Sequence, residues 1–253
     1  MSQNKIALVT GGSRGLGKEM ALRIAEKGLD IIITYNSKKE EAESVVSEIE
    51  KTGRRAFAVQ LDVSDSKNFD SFFIQLKSTL KDTFGVEKFD YLVNNAGIGI
   101  NAPIAEMSET DFDTLVNIQF KAPFFITQKS LELMNNGGGI VNISSGLTRF
   151  SMPGYGAYGA LKGAIEVLTR YEAQEFGQRG INVNVVAPGA IETDFGGGIV
   201  RDNAQINQHI AGNTALGRVG LPSDIGGVVA FLCTDDAKWI NAQRIEVSGG
   251  VNL

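Results

Sequence analysis

KIALVTGGSRGLG, residues 5–17, has the composition of a buried strand, a glycine-rich turn and the start of a helix. Residues 5–10 are a short, mostly apolar run of strand length. Residues 18–27 continue with the apolar spacing of an amphipathic helix. The glycines follow a Gly-x-x-x-Gly-x-Gly pattern and not the commoner Gly-x-Gly-x-x-Gly of dinucleotide-binding proteins. Glycines placed between a strand and a helix let the backbone approach a phosphate, so this turn is a candidate anion site. The simpler alternative is an ordinary glycine turn.

Strands and helices alternate along the rest of the chain. The pattern predicts further strands at 29–35, 56–61, 89–93, 139–143, 181–186 and 243–247, and helices at 37–51, 66–81, 109–134, 158–176 and 222–232. It indicates a Rossmann-type, doubly wound α/β sandwich with a mainly parallel sheet of about seven strands, formed by one domain over residues 1–253. Pro123 is expected to kink the long fourth helix. Residues 194–220 show no clear element and are predicted to form a mobile flap over the substrate side of the site.

Composition excludes several classes of protein. The 253 residues are 43% hydrophobic and 21% charged, as in soluble globular proteins. A net charge of −5 gives no electrostatic footprint for nucleic acid or an anionic membrane. A single cysteine, Cys233, excludes an internal disulfide and a cysteine-built zinc site, and we expect no metal. With no apolar run of spanning length and no signal-peptide pattern, we expect a cytoplasmic protein.

The candidate catalytic groups lie in residues 145–162, SGLTRFSMPGYGAYGALK. Tyr158 and Lys162 are four residues apart and would share one face of a helix. Ser145 precedes the tyrosine across a loop that contains Pro153, Gly154 and Gly156, which could fold the three groups together. Ser144 is the alternative serine, and Tyr155 is a competing tyrosine whose +4 residue is Gly159. By itself the spacing would equally suit a half-buried tyrosine beside a solvated lysine.

Taken in order, the motifs resemble those of the short-chain dehydrogenase/reductase family, in its compact single-domain branch. The resemblance rests on Thr10-Gly11-x-x-x-Gly15-x-Gly17, Asn94-Asn95-Ala96-Gly97, Asn117, the Ser145/Tyr158/Lys162 set, and Pro188-Gly189 followed by Ile191 and Thr193. It implies Asn117, Ser145, Tyr158 and Lys162 as catalytic residues, and a homotetramer. It implies a nicotinamide cofactor held by Gly11, Ser13, Arg14, Gly15, Leu16, Gly17, Asn36, Ser37, Asp62, Val63, Asn94, Ala96, Gly97, Tyr158, Lys162, Pro188, Gly189, Ile191 and Thr193.

Charge at the end of the second predicted strand favours NADP(H) over NAD(H). NAD-specific enzymes place a carboxylate there to bind the ribose 2′-hydroxyl. Residues 34–39, TYNSKK, contain no acid. Asn36 and Ser37 can donate hydrogen bonds, and Arg14 and Lys38 add positive charge suited to a 2′-phosphate. The alternative is that both cations are ordinary solvated charges. Asp62, expected at the adenine, could instead cap the next segment.

The chemistry that the resemblance implies is hydride transfer to a carbonyl. We expect Tyr158 to act as the general acid/base, with its pKa lowered by the neighbouring lysine ammonium and by the helix N-terminus. Ser145 would hydrogen-bond the carbonyl oxygen. Lys162 would also bind the nicotinamide ribose, and Asn117 would position a water next to it. The loop with Arg149, Phe150 and Met152 is expected to form one wall of the substrate pocket.

The substrate is the least determined part of the prediction. The segment INVNVVAPGAIETD, residues 181–194, most resembles 3-oxoacyl-[acyl-carrier-protein] reductases of fatty acid biosynthesis. An acidic acyl carrier protein needs basic residues near the cleft, and Arg149 and Arg179 are the nearby candidates. A reductase of free diketones, sugars, steroids or quinones ranks close behind. Two other classes are a non-catalytic NADP-binding sensor and a serine hydrolase that would have to use His209, the only histidine.

Overall fold

A computed structural model describes residues 4–253; residues 1–3 of the predicted domain lie outside the described part. Within that part, seven parallel strands form one sheet in the order β3-β2-β1-β4-β5-β6-β7. The strands are β1 Ile6–Val9, β2 Asp30–Tyr35, β3 Ala56–Gln60, β4 Phe89–Asn94, β5 Met134–Ile143, β6 Asn182–Pro188 and β7 Arg244–Val247. The strand order reverses between β1 and β4, which is where doubly wound sheets bind ligands at their carboxyl ends.

Helices cover both faces of the sheet. They are α1 Gly15–Glu26, α2 Lys39–Glu50, α3 Phe69–Thr79, α4 Glu109–Val116, α5 Ala122–Ser130, α6 Gly156–Phe176, α7 Ile199–Asp202, α8 Ala204–Gly212 and α9 Pro222–Leu232. Strands such as β1 and β2 are apolar on both sides because each face is buried against helices. One hydrophobic core includes Met20, Val45 and Val229, and the other includes Phe69, Leu76 and Ile126. The predicted fold class is confirmed.

The predicted fourth helix is interrupted earlier than expected. A π-helical turn, Asn117–Lys121, separates α4 from α5, and Pro123 lies in the first turn of α5. A proline inside a continuous helix would remove one hydrogen bond and crowd the preceding turn. The irregularity therefore lies just before the proline and begins at Asn117, and not at Pro123 as predicted. π turns of this kind are frequent at functional sites.

The expectation that residues 194–220 lack regular structure was wrong. They contain a 3₁₀ turn, Phe195–Gly198, and the short helices α7 and α8. Gly196, Gly197 and Gly198 all have positive φ. A run of three glycines also has no apolar spacing from which a helix could be predicted. Helix α8 buries none of its residues fully, so it lacks the apolar stripe by which a helix is recognised. Nowhere in residues 4–253 does a helix combine the length and apolarity needed to cross a membrane.

Candidate active site

The glycine turn after β1 is packed too tightly for side chains. A Cβ on Gly17 would lie 2.1 Å from the carbonyl oxygen of Gly11, and one on Gly11 would lie 3.0 Å from Cα of Ala96. Gly11 and Gly15 also have positive φ. These glycines leave the backbone of residues 11–16 bare at the start of α1, which suits a pyrophosphate.

Asn95 joins the glycine turn to the end of β4. Its Nδ2 donates to the carbonyl oxygens of Thr10 at 2.8 Å and Gly11 at 3.2 Å. Thr10 Oγ1 in turn accepts hydrogen bonds from the backbone N–H groups of Asn95 and Ala96, both at 3.0 Å. This reciprocal contact brings Ala96 and Gly97 beside the glycine turn. Asn95 was not among the predicted site residues; the signal that could have found it is its place inside the Asn-Asn-Ala-Gly motif.

Asn94 has a different environment from its neighbours. Its side chain is buried, and Nδ2 donates to Thr127 Oγ1 at 3.0 Å and to Asn142 Oδ1 at 2.8 Å. The amide therefore points into the core beneath the site. Any contact between Asn94 and a cofactor would have to come from its backbone.

The residues predicted to hold the adenosine end lie at the carboxyl ends of β2 and β3. Asn36 and Ser37 are exposed just after β2. Asp62 Oδ1 accepts hydrogen bonds from the backbone and hydroxyl of Ser64, at 2.9 and 2.7 Å, so the turn-forming alternative for this residue is present. Val63 is partly buried. Arg14 is largely exposed, 3.7 Å from Asp194.

The Pro-Gly segment closes the opposite side. Pro188 ends β6, and Gly189 donates its N–H to the carbonyl oxygen of Val247 at 3.0 Å. Ile191 is bridged to Gly220. Thr193 is buried and lies against Gly15 of the glycine turn. The three predicted cofactor segments, after β1, β4 and β6, therefore meet at the end of the sheet formed by the carboxyl ends of its strands.

The three catalytic candidates also meet at this carboxyl end of the sheet. Ser145 follows β5, and α6 presents Tyr158 and Lys162, which are only 7% and 6% exposed. Lys162 Nζ lies 5.6 Å from the centre of the Tyr158 ring and donates to the carbonyl oxygen of Ile143 at 2.8 Å. The lysine is therefore not the solvated side chain of the alternative interpretation.

Ser145 and not Ser144 faces the tyrosine. Ser144 Oγ donates to Glu166 Oε1 at 2.7 Å and is buried away from the site. The Ser145 hydroxyl lies close enough to the Tyr158 phenol to act on its pKa, in the downward direction. Tyr155 packs edge-on against Tyr158 with ring centres 6.3 Å apart.

The expected direction of the pKa shift of Tyr158 was wrong. Burial raises the pKa of Tyr158 above its ordinary value, and the Ser145 hydroxyl only partly opposes this. Burial also lowers the pKa of Lys162 to about 7, so its ammonium is not a fixed charge at neutral pH. A phenol with a raised pKa stays protonated and so is present as a proton donor, but it is a weaker acid than an ordinary phenol.

Asn117 begins the π-helical turn that packs against α6. Two residues further on, the buried Gln119 donates its side-chain amide to the carbonyl oxygen of Ile98. The sequence did not point to Gln119. It holds the segment after Gly97 close to the turn that contains Asn117.

Phe195 covers Tyr158. Its ring centre lies 5.9 Å from that of Tyr158, and a Cβ on Gly99 would be 2.8 Å from the Phe195 ring. The residue belongs to the 3₁₀ turn inside the predicted flap. No periodicity in the sequence indicated it.

Neither basic residue considered for carrier-protein binding is free. Arg149 donates from Nε and Nη2 to Glu246, from Nη2 also to the carbonyl oxygen of Val251, and from Nη1 to that of Asn252. Arg149 was expected in one wall of the substrate pocket, but its guanidinium instead binds these C-terminal groups. Arg179 binds the carbonyl oxygens of Leu131 and Met134. His209 is exposed on α8.

Comparison with known proteins places this site in a family. A family model described as enoyl-(acyl carrier protein) reductase matches residues 11–252. The chain is 38% identical over 257 residues to the hydroxynaphthalene reductase-like protein Arp2 of Metarhizium anisopliae, covering 97% of this chain and 94% of the relative. It is 37% identical over 255 residues to the 3-oxoacyl-[acyl-carrier-protein] reductase FabG of Staphylococcus aureus, covering 100% of both.

The structural match is equally complete. The crystal structure of the landomycin C-6 ketoreductase LanV with bound NADP and rabelomycin superposes with a TM-score of 0.89 at 38% identity, covering 98% of this chain and 96% of that one. The family match, these full-length identities and the motif order agree. The chain belongs to the short-chain dehydrogenase/reductase family of oxidoreductases.

Proposed function

We propose that this protein reduces a ketone to a secondary alcohol with NADPH. The observation that supports this best is the burial of Tyr158 and Lys162 beside Ser145, at the carboxyl end of the sheet where the glycine turn also lies. Burying an ionisable pair costs free energy, and functional sites are where such groups are retained. A non-catalytic binding protein would have no need of them.

The residues fit a dinucleotide. The bare glycine turn at the start of α1 would hold the pyrophosphate, and Thr193 and Gly189 would border the nicotinamide. Arg14 and Lys38, together with Asn36 and Ser37, would favour the 2′-phosphate of NADPH, and the LanV structure contains NADP. The nicotinamide would supply the hydride.

The protein's own groups would handle the carbonyl oxygen and the proton. Ser145 Oγ would hydrogen-bond the oxygen as charge develops on it, and the protonated Tyr158 phenol would give up its proton there. In its protonated form Lys162 would then stabilise the phenolate formed, because an ammonium beside it favours the charged form. Asn117, at the π turn, is the proposed site of a water next to Lys162.

A free, compact ketone fits the surroundings better than a carrier-bound substrate. Both candidate arginines are occupied, as described above. The rings of Tyr155, Tyr158 and Phe195 form an aromatic cluster, and two relatives are named as a hydroxynaphthalene reductase-like protein and a landomycin C-6 ketoreductase.

A 3-oxoacyl thioester is the second candidate. It is supported by full-length identity to the Staphylococcus aureus reductase. We further propose that residues 1–253 form one domain with 194–220 as the flap, that the protein is a cytoplasmic homotetramer, and that α4, α5 and α6 supply its interfaces. Exposed Phe112, Phe124 and Tyr171 on these helices support that choice.

The proposal is tested by following the loss of NADPH absorbance with a matched panel: an aromatic bicyclic ketone, a diketone, a 3-oxoacyl thioester free and on an acyl carrier protein, and an enoyl thioester. We expect the free aromatic ketone to have the highest kcat/KM, and NADPH to be preferred to NADH. A higher kcat/KM for the carrier-bound 3-oxoacyl thioester than for its free form would instead identify the second candidate. Reduction of the enoyl thioester alone, or of nothing, would refute ketone reduction.

A further inference from the structure

Glu166 lies on α6 one turn beyond Lys162 and two turns beyond Tyr158, on the same face of the helix. Its Oε1 accepts three hydrogen bonds of 2.7 Å, from Ser144 Oγ, Thr148 Oγ1 and Arg244 Nε. The side chain is mostly buried. One carboxylate oxygen with three donors is an unusual concentration of bonds for a residue that touches no reacting atom.

The first two donors flank Ser145. Ser144 precedes it directly, and Thr148 ends the short 3₁₀ turn, Gly146–Thr148, that Ser145 caps. Ser145 Oγ accepts from the backbone N–H of Leu147 at 3.2 Å, and Thr148 Oγ1, whose single proton goes to Glu166, lies 2.9 Å from the carbonyl oxygen of Ser145. Glu166 therefore fixes both ends of the turn that presents Ser145 to Tyr158.

The third donor connects this turn to the edge of the sheet. Arg244, at the start of β7, also bonds Thr148 Oγ1 at 3.1 Å and Glu246 Oε2 at 2.9 Å. Burial acts to raise the pKa of Glu246, but hydrogen bonds from Arg149, Arg244 and Ser248 outweigh it and bring the pKa to about 2. The cluster of Glu166, Arg244, Glu246 and Arg149 is thus two carboxylates matched by two guanidinium groups.

We propose that Glu166, held in place by Arg244, is a positioning residue that fixes Ser145 against Tyr158. The inference rests on the role proposed for Ser145. Hydrogen-bond donors to a developing oxyanion work only when they are preorganised, and small displacements cost much of the rate. Tyr158, Lys162 and Glu166 then lie in one row on α6. This row fixes the positions of the proton donor, the neighbouring lysine and the Ser145 turn relative to one another.

The test is Glu166→Gln, which keeps the shape but removes the charge from all three hydrogen bonds. The matched control is Asp30→Asn. Asp30 is a fully buried carboxylate that also accepts several hydrogen bonds, from Arg55. It lies at the amino end of β2, whereas the site is at the carboxyl ends of the strands. We expect Glu166→Gln to lower kcat about tenfold with little change in KM, which is the pattern for a lost transition-state interaction. Asp30→Asn should lower the melting temperature and leave kcat unchanged.

A double-mutant cycle separates positioning from general loss of stability. In a Ser145→Ala background, Glu166→Gln should lower kcat less than about twofold, because the group it positions is gone. The same factor in both backgrounds would overturn the proposal. Thr148→Val, which is isosteric and removes only one donor, should give a smaller loss of kcat with the same dependence on Ser145.

Hydrogen exchange of the backbone amides of residues 145–149 tests the inference without turnover. Exchange there should be faster in Glu166→Gln than in the wild type, and unchanged in Asp30→Asn. Wild-type exchange in Glu166→Gln would overturn the proposal even if the protein proved to reduce no ketone. Failure of ketone reduction with altered exchange would refute the proposed function and leave the structural role of Glu166 established.

Discussion

Lys162 Nζ donates a 2.8 Å hydrogen bond to the carbonyl oxygen of Ile143, two residues before Ser145. This bond ties the middle of α6 to the end of β5, so the lysine has a structural contact as well as its proposed catalytic one. The carbonyl is neutral and cannot offset the cost of burying an ammonium. That cost appears as the lowered pKa of Lys162.

The first prediction follows from that pKa. Lys162 has a pKa of about 7 in the folded protein against 10.5 for an ordinary lysine. Between those values the unfolded chain binds the extra proton, so the free energy of unfolding should rise as pH rises from 7 to 10.5. The penalty below pH 7 is on the order of 5 kcal/mol. Lys162→Met should therefore be more stable than the wild type at pH 7, by urea denaturation, with the gap closing towards pH 10.

The control for this prediction is Lys39→Met, since Lys39 is exposed and, within residues 4–253, has Glu43 at 3.4 Å as its ion-pair partner. It should leave the pH dependence of unfolding as in the wild type. A wild-type slope in Lys162→Met would mean that the buried ammonium is stabilised by a group other than the Ile143 carbonyl.

The second prediction concerns the proton donor. Tyr158→Phe keeps the buried ring but removes the hydroxyl, and kcat should fall about 10³-fold, the usual share of general acid catalysis. Tyr155→Phe removes a hydroxyl from the ring that packs against it. That control should keep wild-type kcat. NADPH binding, measured by fluorescence, should persist in both variants; full turnover in Tyr158→Phe would end the mechanism.

Local sequence predicted the parts of the site that lie next to each other along the chain. The glycine turn, the parallel sheet implied by alternating strands and helices, and the Tyr158/Lys162 pair on one helical face all follow from spacing. Asn95, Gln119, Phe195 and Glu166 were missed because each acts on a segment distant in sequence: Glu166, for instance, meets Arg244 from β7. Contacts of that kind depend on the sheet order, which no local pattern encodes.

Short-range patterns also gave wrong predictions where tertiary environment decides. A tyrosine beside a lysine suggests a lowered pKa, but burial of both groups reverses the sign. Arg149 looked like a free cation on a loop, and the C-terminal residues that bind it lie about a hundred positions away. In both cases the missing information was which groups surround the side chain.

The third prediction concerns Glu172, a carboxylate 5% exposed in the core beneath the site. Burial raises its pKa to about 7, opposed by hydrogen bonds from Asn142 and Thr127 and supported by the charge of Glu175. The folded protein therefore holds a proton that the unfolded chain loses above pH 4.5. Stability from this group is complete below pH 4.5 and is lost as pH rises to 7, by about 3 kcal/mol.

Glu172→Gln should abolish that slope when urea denaturation is compared at pH 4.5 and pH 7. Glu175→Gln is the matched control: its carboxylate is exposed, so the slope should remain while the apparent pKa of Glu172 falls. An unchanged slope in Glu172→Gln would show that another group titrates in this window.

The last prediction tests whether the glycine turn is a cradle or merely a turn. In Gly17→Ala the new methyl would meet the Gly11 carbonyl oxygen at 2.1 Å and Asn95 Nδ2 at 2.5 Å, so the turn must move and the bonds from Asn95 must break. Overpacking of this kind costs roughly 1–3 kcal/mol. Gly227→Ala, inside α9, meets nothing within 4 Å and should stabilise the helix by about 0.5–1 kcal/mol. Because the turn is proposed to hold the pyrophosphate, Gly17→Ala should also weaken NADPH binding at least tenfold by fluorescence titration, about 1.4 kcal/mol or more, whereas Gly227→Ala should bind it as the wild type does. Wild-type affinity in Gly17→Ala, even with a lowered melting temperature, would mean that the cofactor phosphates lie elsewhere.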